Sequence, residues 1–140
     1  MKTIKNALTK IICLMLISTF LVSCSKDDET VTNTPIDMAS FKGTFVSSAH
    51  TTSGNVTINN EKTKLNFTNF KSDSGPDLDI YLVSYLSNVN GGFINLGDIK
   101  GLNGNYIYDL PANTDFNVYK YVVVWCVDFN VNFGYATLAP

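Results

Sequence analysis

Arginine is absent from all 140 residues, and the formal charge is −2. A chain without the planar guanidinium fork, and net acidic, is a poor candidate for nucleic acid or phosphate-rich ligands. Histidine occurs once, at His50, and cysteine three times, at Cys13, Cys24 and Cys126. So few ligands exclude a blue copper centre, an iron–sulfur cluster and a four-ligand structural zinc site within one subunit. A mixed metal site from His50, Cys126 and a carboxylate stays open, as does a haem on one side chain, but no motif stands behind either. No metal and no cofactor is expected. Long apolar runs are missing too: Ile11 to Val22 is about a dozen residues, too short to span a bilayer.

What is present begins with that short run. Lys2, Lys5 and Lys10 precede it, and Leu21-Val22-Ser23-Cys24 closes it. A basic start, a short apolar core and a small residue before Cys24 resemble the signal peptide and lipobox of bacterial lipoproteins. The resemblance implies that residues 1–23 are removed and that Cys24 is acylated, with palmitate among the expected chains. Ser25-Lys26-Asp27-Asp28-Glu29 is similar to the export signal of Bacteroidetes surface lipoproteins, and it also suits a solvated linker. The expected organisation is a leader over 1–23, an acidic tether over 24–38 and one domain over 39–140. The expected location is the outer membrane, lipid-anchored and exposed at the cell surface. Seven lysines remain after the leader against twelve acids. The acyl chains on Cys24, rather than a polybasic patch, must then hold the membrane.

With Cys13 gone and Cys24 acylated, Cys126 is alone, so no internal disulfide can form even in an oxidising compartment. The domain has to hold by packing. Sixteen aromatic residues after Cys24 make that feasible.

From Phe41 onward Asn, Gly, Thr and Ser interrupt every window long enough for a helix. Short β-rich runs recur instead between turn clusters. They cover Phe41–Ser47, Asn55–Asn59, Lys64–Phe70, Leu78–Leu86, Phe93–Leu96, Asn105–Leu110, Tyr121–Asp128 and Val131–Leu138. Tyr121–Asp128 is nearly all apolar, which predicts a central strand covered on both faces. Leu78, Ile80 and Leu82 should face away from Tyr81 and Val83. Ser53-Gly54, Asn90-Gly91-Gly92 and Asn103-Gly104 supply positive φ for hairpins or bulges. The predicted fold is all-β: a single β-sandwich, or flattened barrel, of about eight mainly antiparallel strands.

Few residues offer chemistry. Cys126 lies among Val124, Trp125 and Val127, and alternation puts it on the side of Val122 and Val124, away from Trp125. Apolar walls and nearby Asp128 oppose thiolate formation, so locally Cys126 reads as a small core residue. His50 reads as a loop histidine, with a metal or redox role as the alternative. Asp73, Asp77 and Asp79 bracket Gly75-Pro76; their spacing departs from the EF-hand pattern, and Asp77 is read as fixing its loop through backbone N–H bonds.

Read in order, several segments resemble the DM-thirteen domain family. They are Gly43-Thr44-Phe45 with His50, Leu65-Asn66-Phe67-Thr68-Asn69-Phe70, Gly75-Pro76-Asp77-Leu78-Asp79-Ile80-Tyr81-Leu82, Leu96-Gly97-Asp98, Val124-Trp125-Cys126 and Phe133-Gly134. The likeness runs from about Phe41 to Leu138. Family members carry the label "electron transfer", and bacterial ones are secreted or lipid-anchored. The resemblance implies a redox thiol at Cys126, tuned by His50 or Asp77 and shielded by Trp125. It brings no partner DOMON or cytochrome segment.

Two functions follow. One is a redox module centred on Cys126. The other is a surface binding or structural module that holds an unidentified protein or small molecule through its loops, with Cys126 in the core. A hydrolase or transferase has no motif behind it.

Overall fold

The computed structural model describes residues 40–140. The expected leader (1–23), the acylation site Cys24 and the tether (24–38) lie outside the described residues. Eight strands follow one another: β1 (Phe41–Ser47), β2 (Thr52–Ile58), β3 (Lys64–Ser72), β4 (Leu78–Val83), β5 (Phe93–Asp98), β6 (Asn103–Asp109), β7 (Tyr121–Cys126) and β8 (Val131–Thr137). They form one sheet in the order β5-β4-β7-β8-β1-β2-β3-β6. Every pairing is antiparallel. The sheet rolls into a nearly closed barrel.

Curvature concentrates at β1. Its first half, Phe41 to Thr44, pairs with β2, and its second half, Phe45 to Ser47, pairs with β8. At the handover a side chain on Gly43 would meet the Thr137 carbonyl at 2.5 Å. Glycine is what lets the end of β8 close onto β1.

Alternation sorts the residues into two apolar groups. Inside the barrel, Phe45, Phe67 and Phe70 meet at centroid distances of 5.0–5.2 Å, in tilted or edge-on pairs. Leu78, Ile80, Leu82, Val122, Val124 and Cys126 join this interior. Outside it, Tyr81, Val83, Val123 and Trp125 form a second cluster with Val89. Val89 belongs to a 3-10 helix, Leu86–Gly91, that is part of the β4–β5 connection. This segment covers the outer face of the β4–β7 pair, and so β7 is buried on both sides as its apolar sequence predicts.

Element ends differ from the sequence reading where pairing partners run out. β4 stops at Val83, opposite Tyr121 and Phe93, and the chain turns into the 3-10 helix instead of continuing to Leu86. β7 stops at Cys126, opposite Leu78 and Val131. Ser53-Gly54 and Asn103-Gly104 lie within β2 and β6 rather than in hairpin turns, beside register shifts at which β3 carries the extra residue, around Asn69 with its φ of 52°.

Candidate functional site

One end of the barrel gathers the chemistry. β1 ends there and β2 begins, β3 ends and β4 begins, and β7 ends and β8 begins. Backbone bonds knit these loops together. The His50 N–H donates to the Phe133 carbonyl at 3.1 Å, Asp73 N–H to the Thr51 carbonyl at 3.0 Å, and Val127 N–H to the Asp77 carbonyl at 2.8 Å.

Cys126 is the last residue of β7 and points inward, with none of its surface exposed. Leu78 and Val131 stand opposite it on the neighbouring strands. Among the described residues no hydrogen bond reaches its sulfur. Its surroundings are the apolar ones that alternation predicts.

Phe133, two residues beyond Val131 on β8, belongs to the same buried interior. The β7–β8 register shifts between Val124 and Trp125, which pair with Gly134 and Asn132, so Phe133 is the extra residue of a bulge. A bulge turns two successive residues toward one side, and both Phe133 and Gly134 are buried. Gly134 leaves room for Thr52, whose Oγ1 lies 2.5 Å from where a side chain on Gly134 would begin. That hydroxyl is buried and has no hydrogen-bond partner among the described residues.

His50 caps Phe133. The two rings stack with centroids 3.9 Å apart and an interplanar angle of 27°. The Nδ1 atom of His50 lies 3.7 Å from Asp73 Oδ2, and Thr51 N–H donates to the same oxygen at 2.9 Å. From the other side, a side chain on Gly75 would fall 2.8 Å from both Phe133 and Leu78. His50, Phe133 and the Gly75 loop together form a lid at this barrel end, where β7 finishes with Cys126.

The other expected site residues sit differently. Asp77 holds its loop through its main-chain carbonyl, which accepts from Val127 N–H; among the described residues no hydrogen bond to its carboxylate is found. Trp125 is on the opposite face of β7, in the outer cluster, so it backs the strand rather than covering the sulfur. Asp73 and Asp79 have separate partners, and among the described residues no three metal-ligating side chains converge.

Sequence reasoning did not find the outer face beside Trp125. There the Trp125 ring stacks on Tyr81 at 6.3 Å and 23°, and Tyr81 stacks on Phe93 at 4.2 Å and 9°. Asp79 stands opposite both Trp125 and Asp98 on the flanking strands. Its carboxylate accepts a bond from Asn95 Nδ2 at 2.8 Å. Burial raises the Asp79 carboxyl above its ordinary value; the Asn95 bond opposes this, and the charges of Asp77 and Asp98 add to it. Burial likewise raises the Tyr81 phenol, with Asp79 and Asp77 contributing. The signal was there to be read: an Asp inside the apolar run Leu78–Val83 demands partners.

Neither curated proteins nor solved structures yield a match. A family model described as "Electron transfer DM13" does match, and it covers residues 44–138, from β1 through the residue after β8. The family resemblance expected from the segments around His50, Asp77 and Trp125-Cys126 is therefore found, and its title points to a role related to electron transfer. This chain belongs to the electron transfer DM13 family.

Proposed function

We propose that the protein is an electron-transfer-related domain tethered to the outer membrane by lipid on Cys24, with Cys126 as its redox sulfur. The observation that supports this most is the placement of the lone thiol of the domain under a lid of loops, not deep at mid-barrel. Loops that close a barrel end open locally at much lower free energy than the strands unfold. In the open state the Cys126 thiolate attacks a hydroperoxide: an S–O bond forms, the O–O bond breaks, and the alcohol or water leaves. The sulfur is oxidised by two electrons to the sulfenic acid; one incoming thiol condenses with it to a mixed disulfide, releasing water, and a second thiol displaces the first as a disulfide and restores the Cys126 thiol.

A second reading is favoured by the complete burial of Cys126. In it the domain is a displayed binding or structural module, and the thiol fills space. Thiol labelling of the native full-length chain separates the two. The redox reading expects slow labelling without denaturant and uptake of one oxygen atom at Cys126 from hydrogen peroxide. A thiol that stays inert until global unfolding, with no oxygen uptake, overturns it. Under the passive reading Cys126→Ser costs about 1–3 kcal/mol through its buried hydroxyl and changes nothing else. Anchoring is tested separately: Cys24→Ser is expected to abolish incorporation of labelled palmitate and to release the protein from the membrane fraction.

A further inference from the structure

Alternation at the end of β3 leaves two opposite charges on the outside of the barrel. Phe70 is buried in the interior, so Lys71 points outward, and Asp73 follows on the same side two residues later. The bond from Asp73 N–H to the Thr51 carbonyl carries the β2–β3 register one step beyond its last pair, Thr52 with Ser72. Among the described residues the ion pairs are His50 with Asp73 and Lys64 with Asp109, so the Lys71 ammonium is unpaired. Asp73 Oδ2 accepts from Thr51 N–H and stands 3.7 Å from His50 Nδ1, while no hydrogen bond to Oδ1 is found among the described residues. An open groove of about 380 Å³ lies here, lined by Thr51, Lys71, Ser72, Asp73, Leu102 and Asn103. Asn103 stands directly opposite Lys71 on β6, and Leu102 is 38% exposed.

We propose that this groove binds a small zwitterion of the α-amino-acid class, with its ammonium on Asp73, its carboxylate on Lys71 and Asn103, and an apolar side chain against Leu102. The site needs no chemistry at Cys126, so it stands or falls apart from the redox reading.

Charge selects the class. Residues two apart on a strand are about 7 Å apart, within a Debye length at physiological salt, so both charges act on whatever fills the groove. A simple anion drawn to Lys71 meets the Asp73 carboxylate, and a simple cation on Asp73 meets the Lys71 ammonium. Each is rejected by the charge it does not satisfy. A molecule carrying both signs on neighbouring atoms satisfies both ends at once. The volume lies near the lower end of small-molecule sites, about 300–1,000 Å³, which suits one amino acid better than a nucleotide or an oligopeptide. Lys71 and Asp73 both face solvent, so the binding is weak and reversible.

His50 is the only histidine and its imidazole neighbours Asp73, so its ring C–H resonances are a built-in reporter. Titrating the native full-length chain with L-leucine, at constant pH and ionic strength, should shift these resonances saturably. Leucine methyl ester keeps the ammonium without the carboxylate, and N-acetylleucine keeps the carboxylate without the ammonium. Each should bind several-fold more weakly than L-leucine. Lys71→Met keeps most of the stem and removes the charge, and Asp73→Asn keeps an oxygen for the Thr51 N–H. Both should lose the L-leucine response while the emission of Trp125 stays that of the folded chain. A shift that never saturates, an ester or acetyl derivative as effective as L-leucine, or an undiminished response in Lys71→Met overturns the site. Saturable leucine binding by a chain whose Cys126 takes up no oxygen keeps the site and removes the redox reading. Oxygen uptake at Cys126 without leucine binding does the reverse.

Discussion

The imidazole of His50 lies flat on the ring of Phe133, 3.9 Å between centroids, and Phe133 in turn abuts the Gly75 loop. The polar loops at this barrel end thereby act through one apolar ring. His50 lies on that ring and Leu78 beside it, and Cys126 pairs with Leu78 on the neighbouring strand. Loosening Phe133 is expected to open this barrel end and, with it, a way to the sulfur.

Gly75→Ala tests that hold directly. The added methyl would sit 2.8 Å from the Phe133 and Leu78 side chains, inside any normal contact distance. Phe133 cannot yield freely, because His50 stacks on it. Overpacking of this kind is expected to cost about 1–3 kcal/mol, seen as a lower urea midpoint at unchanged slope. The same substitution should speed thiol labelling of Cys126.

The His50–Phe133 stack itself can be measured by a double-mutant cycle. His50→Ala, Phe133→Leu and the pair should show a coupling of about 0.5–1.5 kcal/mol, the range for stacked rings. The contact with Asp73 should add little, since both side chains are about half exposed and even a charged pair at such a site is worth about 0–1 kcal/mol. A coupling near zero would mean that the stack adds nothing beyond the burial of each ring.

Thr52→Val addresses the interior beside this lid. Thr52 is 3% exposed and its hydroxyl has no partner among the described residues. An unmade buried hydrogen bond costs about 1–3 kcal/mol, whereas valine keeps the shape and the β-branch. A rise in melting temperature is expected. A fall would mean that the hydroxyl is satisfied after all.

Much of this arrangement was legible in the sequence because β-sheets have a period of two. The split of Leu78, Ile80 and Leu82 from Tyr81 and Val83 follows from alternation alone, as does the separation of Cys126 from Trp125. The double burial of β7 follows from its unbroken apolar run. What covers its outer face does not, because the 3-10 helix Leu86–Gly91 has no periodic pattern and depends on where β4 loses its partners. The Phe133 bulge was equally hidden, since one extra residue inverts the alternation that sequence reasoning relies on. Stacking of His50 on Phe133 joins residues far apart in the chain, and no local signal records it.

Asp79 gives the protein a pH dependence of definite sign. Burial raises its carboxyl above the ordinary value of 3.8, with Asp77 and Asp98 adding and Asn95 opposing. A carboxyl with a higher pKa in the folded state than in the unfolded chain binds its proton more tightly when folded. Its contribution to stability is therefore present below the unfolded value and is lost as pH rises from 3.8 through the folded value. Asp109 has the opposite sign: Lys64 lowers its carboxyl, so its contribution is lost as pH falls below 3.8. That pair is exposed at the surface, and salt should screen it while sparing Asp79. In high salt, Asp79→Asn is thus expected to flatten the decline in stability above pH 3.8 and to raise stability at neutral pH, because an amide oxygen still accepts the Asn95 bond. The same variant removes one charge that raises the Tyr81 phenol, so alkaline absorbance should show a tyrosine ionising earlier than in wild type. It should remain above 10.0, since burial is the larger cause. If neither the stability profile nor the tyrosine titration moves, Asp79 does not carry a buried charge beside Tyr81.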